Sequence, residues 1–163
     1  MTTHFSSMSS PVGELTFTGT ADGLTGVWFD TDRHQHDRTH WQRDDALFAD
    51  TRQQLEEYFV GARQVFDLKL AVQGTVFQQQ VWAALCAIPF GETRSYGQQA
   101  RSMDNEKAVR AVGLANGKNP ISIIVPCHRV IGANGALTGY AGGLERKQWL
   151  LAHEAKIAGT RWL

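Results

Sequence analysis

A thiol, an imidazole and a guanidinium stand side by side at Cys127-His128-Arg129, inside the stretch IVPCHRVIGANG. A free thiol titrates near ~8.5 and is mostly protonated at neutral pH, whereas the thiolate is the nucleophile. Lowering that value by ~2 units requires roughly 3 kcal/mol of preferential thiolate stabilisation. An imidazole that takes the proton, itself held by a carboxylate, can supply it. Neighbouring strand side chains point to opposite faces, so Cys127 and His128 cooperate only if the chain leaves extended geometry there. Pro126 and Gly132 are residues that permit such a turn. Arg129 would either add positive potential or tie loops together by hydrogen bonds. The competing reading is a small buried structural cysteine, the usual fate of a free thiol. Cys86 is the internal contrast: it lies in a helical stretch beside Leu85 and Ile88, has no adjacent base, and reads as core or inert.

A carboxylate for the imidazole has a candidate in the last helix, GLERKQWLLAHEAK. Leu144, Leu150 and Leu151 form its apolar stripe, and Glu154 follows Leu150 by four residues and Leu151 by three. Glu154 therefore sits either at the rim of the core or buried with a partner. His34, His36 and His40 in HQHDRTH lie among polar and charged residues, and the first half of the chain has no cysteine. They read as a solvated loop, and no metal is expected.

The elements that must position these residues follow from periodicity. GELTFTG alternates with Leu15 and Phe17 on one face, LTGVWFD follows Asp22-Gly23, and together they read as a hairpin. DDALFADTRQQLEEYFVG places Leu47, Thr51, Leu55 and Phe59 at helical spacing and stops at Gly61; VFDLKL alternates again, as a strand would. The character changes near residues 71–74. Thr75 with Gln78, and Ser95 with Gln98, have the spacing of capping boxes. The first opens a helix with Phe77, Val81, Leu85 and Ile88 on one face. The second opens YGQQARSM, which a short polar link joins to EKAVRAVGLANGK. Two short helices so joined form a helix-turn-helix pattern. Lys107 and Arg110 occupy one face of the second, and its exposed side is small, with Ala111, Gly113 and Ala115. The run Ile121–Val125 reads as a buried strand.

The 163 residues suit one large domain or two small ones, and 42% apolar content builds a core without a membrane-spanning run. Two cysteines and no basic-then-apolar N-terminus argue against a disulfide framework or a signal peptide, and for a cytoplasmic protein. The net charge of zero hides a split: residues 1–72 hold 6 Lys+Arg against 11 Asp+Glu, and residues 73–163 hold 10 against 5. Such asymmetry suggests that the second half meets a polyanion, and with a helix-turn-helix it favours nucleic acid.

The stretch PISIIVPCHRVIGANGALTGYAGGLERKQWLLAHE resembles the active-site region of the O6-alkylguanine-DNA alkyltransferases of the bacterial, methylated-DNA–protein-cysteine methyltransferase type. Pro-Cys-His-Arg-Val is the family's signature, and the likeness continues upstream through FQQQVWAALCAIPFGETRSYG and AVRAVGLANGKNP, covering about residues 75–156. The resemblance implies an α+β protein: a ribonuclease-H-like α/β domain over 1–72, and a winged helix-turn-helix-like helical domain over 73–163 that binds DNA and accepts the alkyl group. It implies single-turnover transfer from O6-alkylguanine, with O4-alkylthymine as a further candidate, after base flipping through the minor groove. No cofactor is required. The implied partner is double-stranded DNA carrying the lesion; no membrane is involved, and the chain is expected to be a monomer in solution, with cooperative binding along DNA left open.

Residue by residue, the family's nucleophile falls on Cys127, its base on His128, which reaches the thiol through a water, and the orienting carboxylate on Glu154. The hinge asparagine falls on Asn119. Tyr96 would hydrogen-bond guanine N3 and crowd the 3′ phosphate, and Arg110 is the finger that fills the gap left by the flipped base. Lys107, Ala111, Gly113 and Asn116 join Tyr96 and Arg110 on the DNA-binding side. Val130, Tyr140 and Ala141 line the pocket, where the carbonyls of Cys127 and Val130 would accept from the guanine amine. Ala141 departs from relatives that have serine there. The alternative is a non-catalytic, alkyltransferase-like lesion-binding protein; such proteins lack the reactive cysteine, and Cys127 speaks against it. A thiol-protease-type hydrolase would leave the basic helix-turn-helix unexplained, and a plain DNA-binding regulator would not need Cys, His and Glu together.

Overall fold

In the computed structural model, residues 2–30 and 37–161 are described, and the chain divides into two units, Met1–Gln73 and Gly74–Leu163. In the first unit the expected hairpin forms between β2 (Gly13–Thr20) and β3 (Gly23–Phe29), joined through Asp22-Gly23. Leu15 and Phe17 are fully buried. On the opposite side of β2, Thr18 accepts hydrogen bonds from Thr25 and the Trp28 indole, and Gly26 leaves the room that indole needs. The sheet runs β3-β2-β1-β4, with β1 (His4–Ser10) antiparallel to β2 and β4 (Gln42–Arg43) parallel to β1. Strand β1 gives little apolar signal because Ser6, Ser7, Ser9 and Ser10 fill it. Its buried Ser6 hydroxyl instead donates to Asp45 at 2.5 Å and accepts from Arg52 at 2.9 Å.

Helix α1 (Ala49–Phe59) buries Thr51, Leu55 and Phe59 as the spacing requires, and Gly61 follows with φ 83°. Leu47 stands before the helix and is exposed. One expectation needs correction. The alternation in VFDLKL is present as half-buried Phe66, Leu68 and Leu70, but no strand forms: the Gln54 amide occupies both backbone groups of Asp67, leaving one isolated bridge between Leu24 and Leu70. His34 and His36 lie outside the described residues, and His40 is exposed.

In the second unit both capping boxes form. Thr75 starts α2 (Val76–Cys86) and Ser95 starts α3 (Tyr96–Ser102), each hydroxyl accepting from the backbone of the glutamine three residues on. A 3-10 turn, Glu106–Ala108, leads into α4 (Val109–Gly117), which completes the helix-turn-helix with α3. Buried Gln99 and Asn116 exchange two amide hydrogen bonds of 2.9 and 2.8 Å between α3 and α4. The Trp82 indole ties α2 to α4 by donating to the Ala115 carbonyl at 2.9 Å. Helix α5 (Leu144–Ala158) buries Leu150, Leu151 and Ala155, whereas Leu144 is half exposed at its first turn. A two-residue parallel ladder pairs β5 (Arg94–Ser95) with β6 (Val130–Ile131), which sets the cap of α3 beside the segment leaving Arg129.

Candidate active site

The run Ile121–Val125 is buried but is not a strand. It turns, and Ile123 sits at φ 73°, a left-handed conformation costly for a β-branched residue. Asn119 holds the turn. Its carbonyl oxygen accepts from Ile121 N at 3.0 Å, and its Nδ2 donates to the Val125 carbonyl at 2.8 Å. The same Nδ2 lies 3.3 Å from Cys127 Sγ, where an N–H favours the charged sulfur over the neutral one. Cys127 then opens a 3-10 turn, Cys127–Arg129, so thiol and imidazole do leave extended geometry, as cooperation requires.

Cys127 is partly exposed, and His128 behind it is wholly buried. His128 Nε2 lies 2.7 Å from Glu154 Oε2. Burial would raise the Glu154 carboxyl, but its contacts with His128 and the Arg129 guanidinium outweigh burial and hold it well below the usual carboxylate range. Burial pushes His128 below the ordinary imidazole value despite the pull of Glu154. The imidazole is therefore neutral near pH 7. An ionised carboxylate can only accept, so Nε2 carries the hydrogen and Nδ1 keeps its lone pair. Nδ1 has no hydrogen-bond partner among the described residues, which leaves it available as a base.

Arg129 takes the second of its two roles. Its Nε donates to Glu154 Oε1 at 2.7 Å, Nη2 to Oε2 at 3.1 Å, and Nη1 to the Ile88 carbonyl at 2.8 Å. It locks the carboxylate and joins α5 to the end of α2. Glu154, 1% exposed, is thus the buried, partnered alternative of the two its spacing allowed. Cys86 differs from expectation in place: it is exposed at the end of α2 rather than in the core. It has no adjacent base in the sequence, and desolvation around its sulfur raises its pKa, which disfavours the thiolate.

Tyr96 opens α3, and its hydroxyl lies 2.6 Å from Thr138 Oγ1. The Tyr140 ring meets His128 edge-on with centroids 6.5 Å apart, and Ala141 beside it is half-buried. Lys147 was not singled out by its type, yet it is completely buried: Nζ donates to the Val130 carbonyl at 2.6 Å and the Thr138 carbonyl at 3.1 Å. Burial draws its pKa down to about 8, against the favourable pull of Cys127. The signal was available in the spacing, since Lys147 precedes Leu151 by four residues and Glu154 by seven on the same stripe. The Val130 carbonyl therefore already accepts from Lys147.

Lys107, Arg110 and Ala111 are exposed together at the start of α4. Gly113 is half-buried above the Tyr96 ring, with space for a Cβ 3.7 Å from Tyr96 Cδ1. Two residues do not belong to that face. Asn116 is buried with its amide paired to Gln99 rather than exposed on that face, and Ala115 is in the core beneath Trp82. Leu114, 71% exposed, stands there instead.

Two family models match, described as "6-O-methylguanine DNA methyltransferase, ribonuclease-like domain" over residues 3–72 and "6-O-methylguanine DNA methyltransferase, DNA binding domain" over residues 76–156. The chain is 51% identical over 155 residues to a methylated-DNA–protein-cysteine methyltransferase from Mycobacterium tuberculosis, covering 95% of this chain and 94% of that one. A protein of the same name from Methanosarcina acetivorans is 49% identical, covering 93% of this chain and 97% of the other. A crystal structure of Mycobacterium tuberculosis OGT in complex with DNA superposes with a TM-score of 0.90 at 50% identity over 94% of both chains.

Proposed function

The chain belongs to the 6-O-methylguanine DNA methyltransferase family, and from that premise we propose that Cys127 accepts the alkyl group with the help of His128, Glu154, Asn119, Tyr96 and Arg110. The activity is that of a methylated-DNA–protein-cysteine S-methyltransferase, a direct reversal of damage in DNA. One observation carries the residue assignment: a partly exposed sulfur receives the Asn119 N–H and adjoins a buried, neutral imidazole whose other nitrogen is fixed by Glu154.

In this reading His128 Nδ1 takes the thiol proton, with a water between. The sulfur attacks the alkyl carbon in line, the C–O6 bond breaks, and its electron pair passes to the purine. Tyr96 donates toward guanine N3 as that charge develops. The product is a thioether that no second thiol in the pocket can displace, so each chain acts once and no cofactor takes part. The lesion must first leave the base stack, which costs a few kcal/mol, and Arg110 fills the space it vacates. Lys107 and Ala111 lie beside Arg110 on the surface that would meet the minor groove. The partner is double-stranded DNA holding O6-alkylguanine, with O4-alkylthymine as a further substrate to test. No helix among the described residues is long and apolar enough to cross a membrane, and we place the protein in the cytoplasm as a monomer.

The lesion-binding alternative is disfavoured by the half-exposed Cys127 in its activated setting. Counting O6-methylguanine lost from excess duplex separates the two. The transfer reading expects one equivalent removed per chain and none by Cys127→Ser; lesion binding with no methyl removed by the native chain supports the alternative.

A further inference from the structure

We propose that Thr138 is a positioning residue for the alkyl transfer: its hydroxyl donates to Tyr96 Oη and so aims the phenolic hydrogen at the departing guanine. This rests on the reading of Tyr96 as the donor to N3.

The two hydroxyls are 2.6 Å apart and belong to residues 42 positions apart in the chain, and either could be the donor. Each hydroxyl owns one hydrogen. If Tyr96 gives its hydrogen to guanine, the bond between them must run from Thr138 to Tyr96, and only this arrangement serves both contacts. The fold fixes the pair from both sides. Tyr96 follows Ser95, whose side chain caps α3 and whose backbone pairs with Ile131 in the β5–β6 ladder. The Thr138 carbonyl is held by buried Lys147, whose Nζ also binds the Val130 carbonyl in the same ladder. Both hydroxyls are thus anchored to one two-residue ladder rather than meeting by the chance swing of a loop.

A second hydrogen bond into Oη supports negative charge on that oxygen, and paired hydrogen bonds strengthen one another where water is scarce. The electron account closes. The S–C bond forms from the sulfur pair, and the C–O6 pair goes to the purine. The purine takes the Tyr96 hydrogen at N3, and the phenolate left behind, held by Thr138, recovers through water the proton that His128 took from the thiol, so that phenol and imidazole both end neutral. Thr138 keeps its own hydrogen throughout.

The test is a single-turnover rate at saturating O6-methylguanine duplex for Thr138→Val, Thr138→Ser, Tyr96→Phe and the double variant Tyr96→Phe with Thr138→Val. Thr138→Val should slow transfer about tenfold while duplex affinity holds within about twofold, as loss of one hydrogen bond predicts. Thr138→Ser, which keeps the hydroxyl, should stay within about threefold of the native rate. In the Tyr96→Phe background the valine should change nothing. Three results overturn the proposal: a native rate for Thr138→Val, a faster rate, which would mark the contact as a brake, or equal slowing with and without the Tyr96 hydroxyl. If Tyr96→Phe itself reacts at the native rate, the Tyr96 reading falls and the Thr138 role falls with it; a slow Tyr96→Phe beside an unaffected Thr138→Val rejects Thr138 alone.

Discussion

The proposed role of His128 as base needs a neutral imidazole, which its burial favours, and this has a pH signature. Its pKa in the folded chain lies below the unfolded value near ~6.5, so the unfolded chain binds the proton first as pH falls. The stability it contributes is whole above ~6.5 and is lost on going below. The transfer rate should therefore stay level from about pH 7.5 to about pH 6.5, where an ordinary imidazole would already be half protonated. A rate profile with its midpoint near ~6.5 would contradict the neutral, buried base. Glu154 acts at the same scale through two partners. Glu154→Gln removes the charge that balances buried Arg129 and leaves one acceptor oxygen where His128 and Arg129 now share two. Transfer should slow by about 100-fold, read in single-turnover rates. Stability should fall by about 3–5 kcal/mol, read by denaturant unfolding, because a buried guanidinium is left unpaired. At this scale the sequence was informative about identity and silent about pairing. Cys-His adjacency and the spacing of Glu154 left each residue with two readings, the family resemblance chose between them, and only the turn at Ile123 takes Cys127 and His128 out of extended geometry. That turn is invisible to periodicity, because five buried residues, four of them apolar, look the same in a strand and in a coil held by Asn119.

The elements were most legible where local chemistry closes on itself. Both capping boxes satisfy their own helix starts, so Thr75-to-Gln78 and Ser95-to-Gln98 spacing sufficed to place α2 and α3. The failures share a cause, which is competition from a distant side chain. Gln54 claims the backbone that would have made 65–70 a strand, and Gln99 claims Asn116, which the family resemblance puts on the DNA-binding side. The Gln99–Asn116 pair fixes how α4 sits on α3, and with it the placement of Arg110. Asn116→Ala should cost about 1–3 kcal/mol in chemical denaturation, because Gln99 is left buried and unsatisfied. A change below a few tenths would show that water replaces the lost partner without penalty. Strand β1 was missed for the opposite reason: serines carry no hydrophobic pattern, and its burial depends on the Asp45 and Arg52 side chains that meet Ser6.

Across the whole molecule the charge split has a function only if the positive half meets phosphate. Exposed Lys107 and Arg110 sit at the start of α4, and binding to undamaged duplex should weaken steeply as salt rises, since neutralised phosphates release counterions. Arg110→Ala should slow repair of duplex DNA far more than reaction with free O6-benzylguanine, because only the duplex has a base to turn out; equal slowing on both would reject the finger. The family likeness spans both halves, and the residues proposed for the chemistry, Asn119, Cys127, His128 and Glu154, all lie within 74–163. The central claim is that one sulfur, Cys127, takes the alkyl group for good. Peptide mapping by mass spectrometry after incubation with O6-methylguanine duplex tests it most directly. A single added methyl on the peptide bearing Cys127, with Cys86 unmodified, is the result predicted. Methyl groups on Cys86, or tight lesion binding with both thiols unchanged, would contradict it.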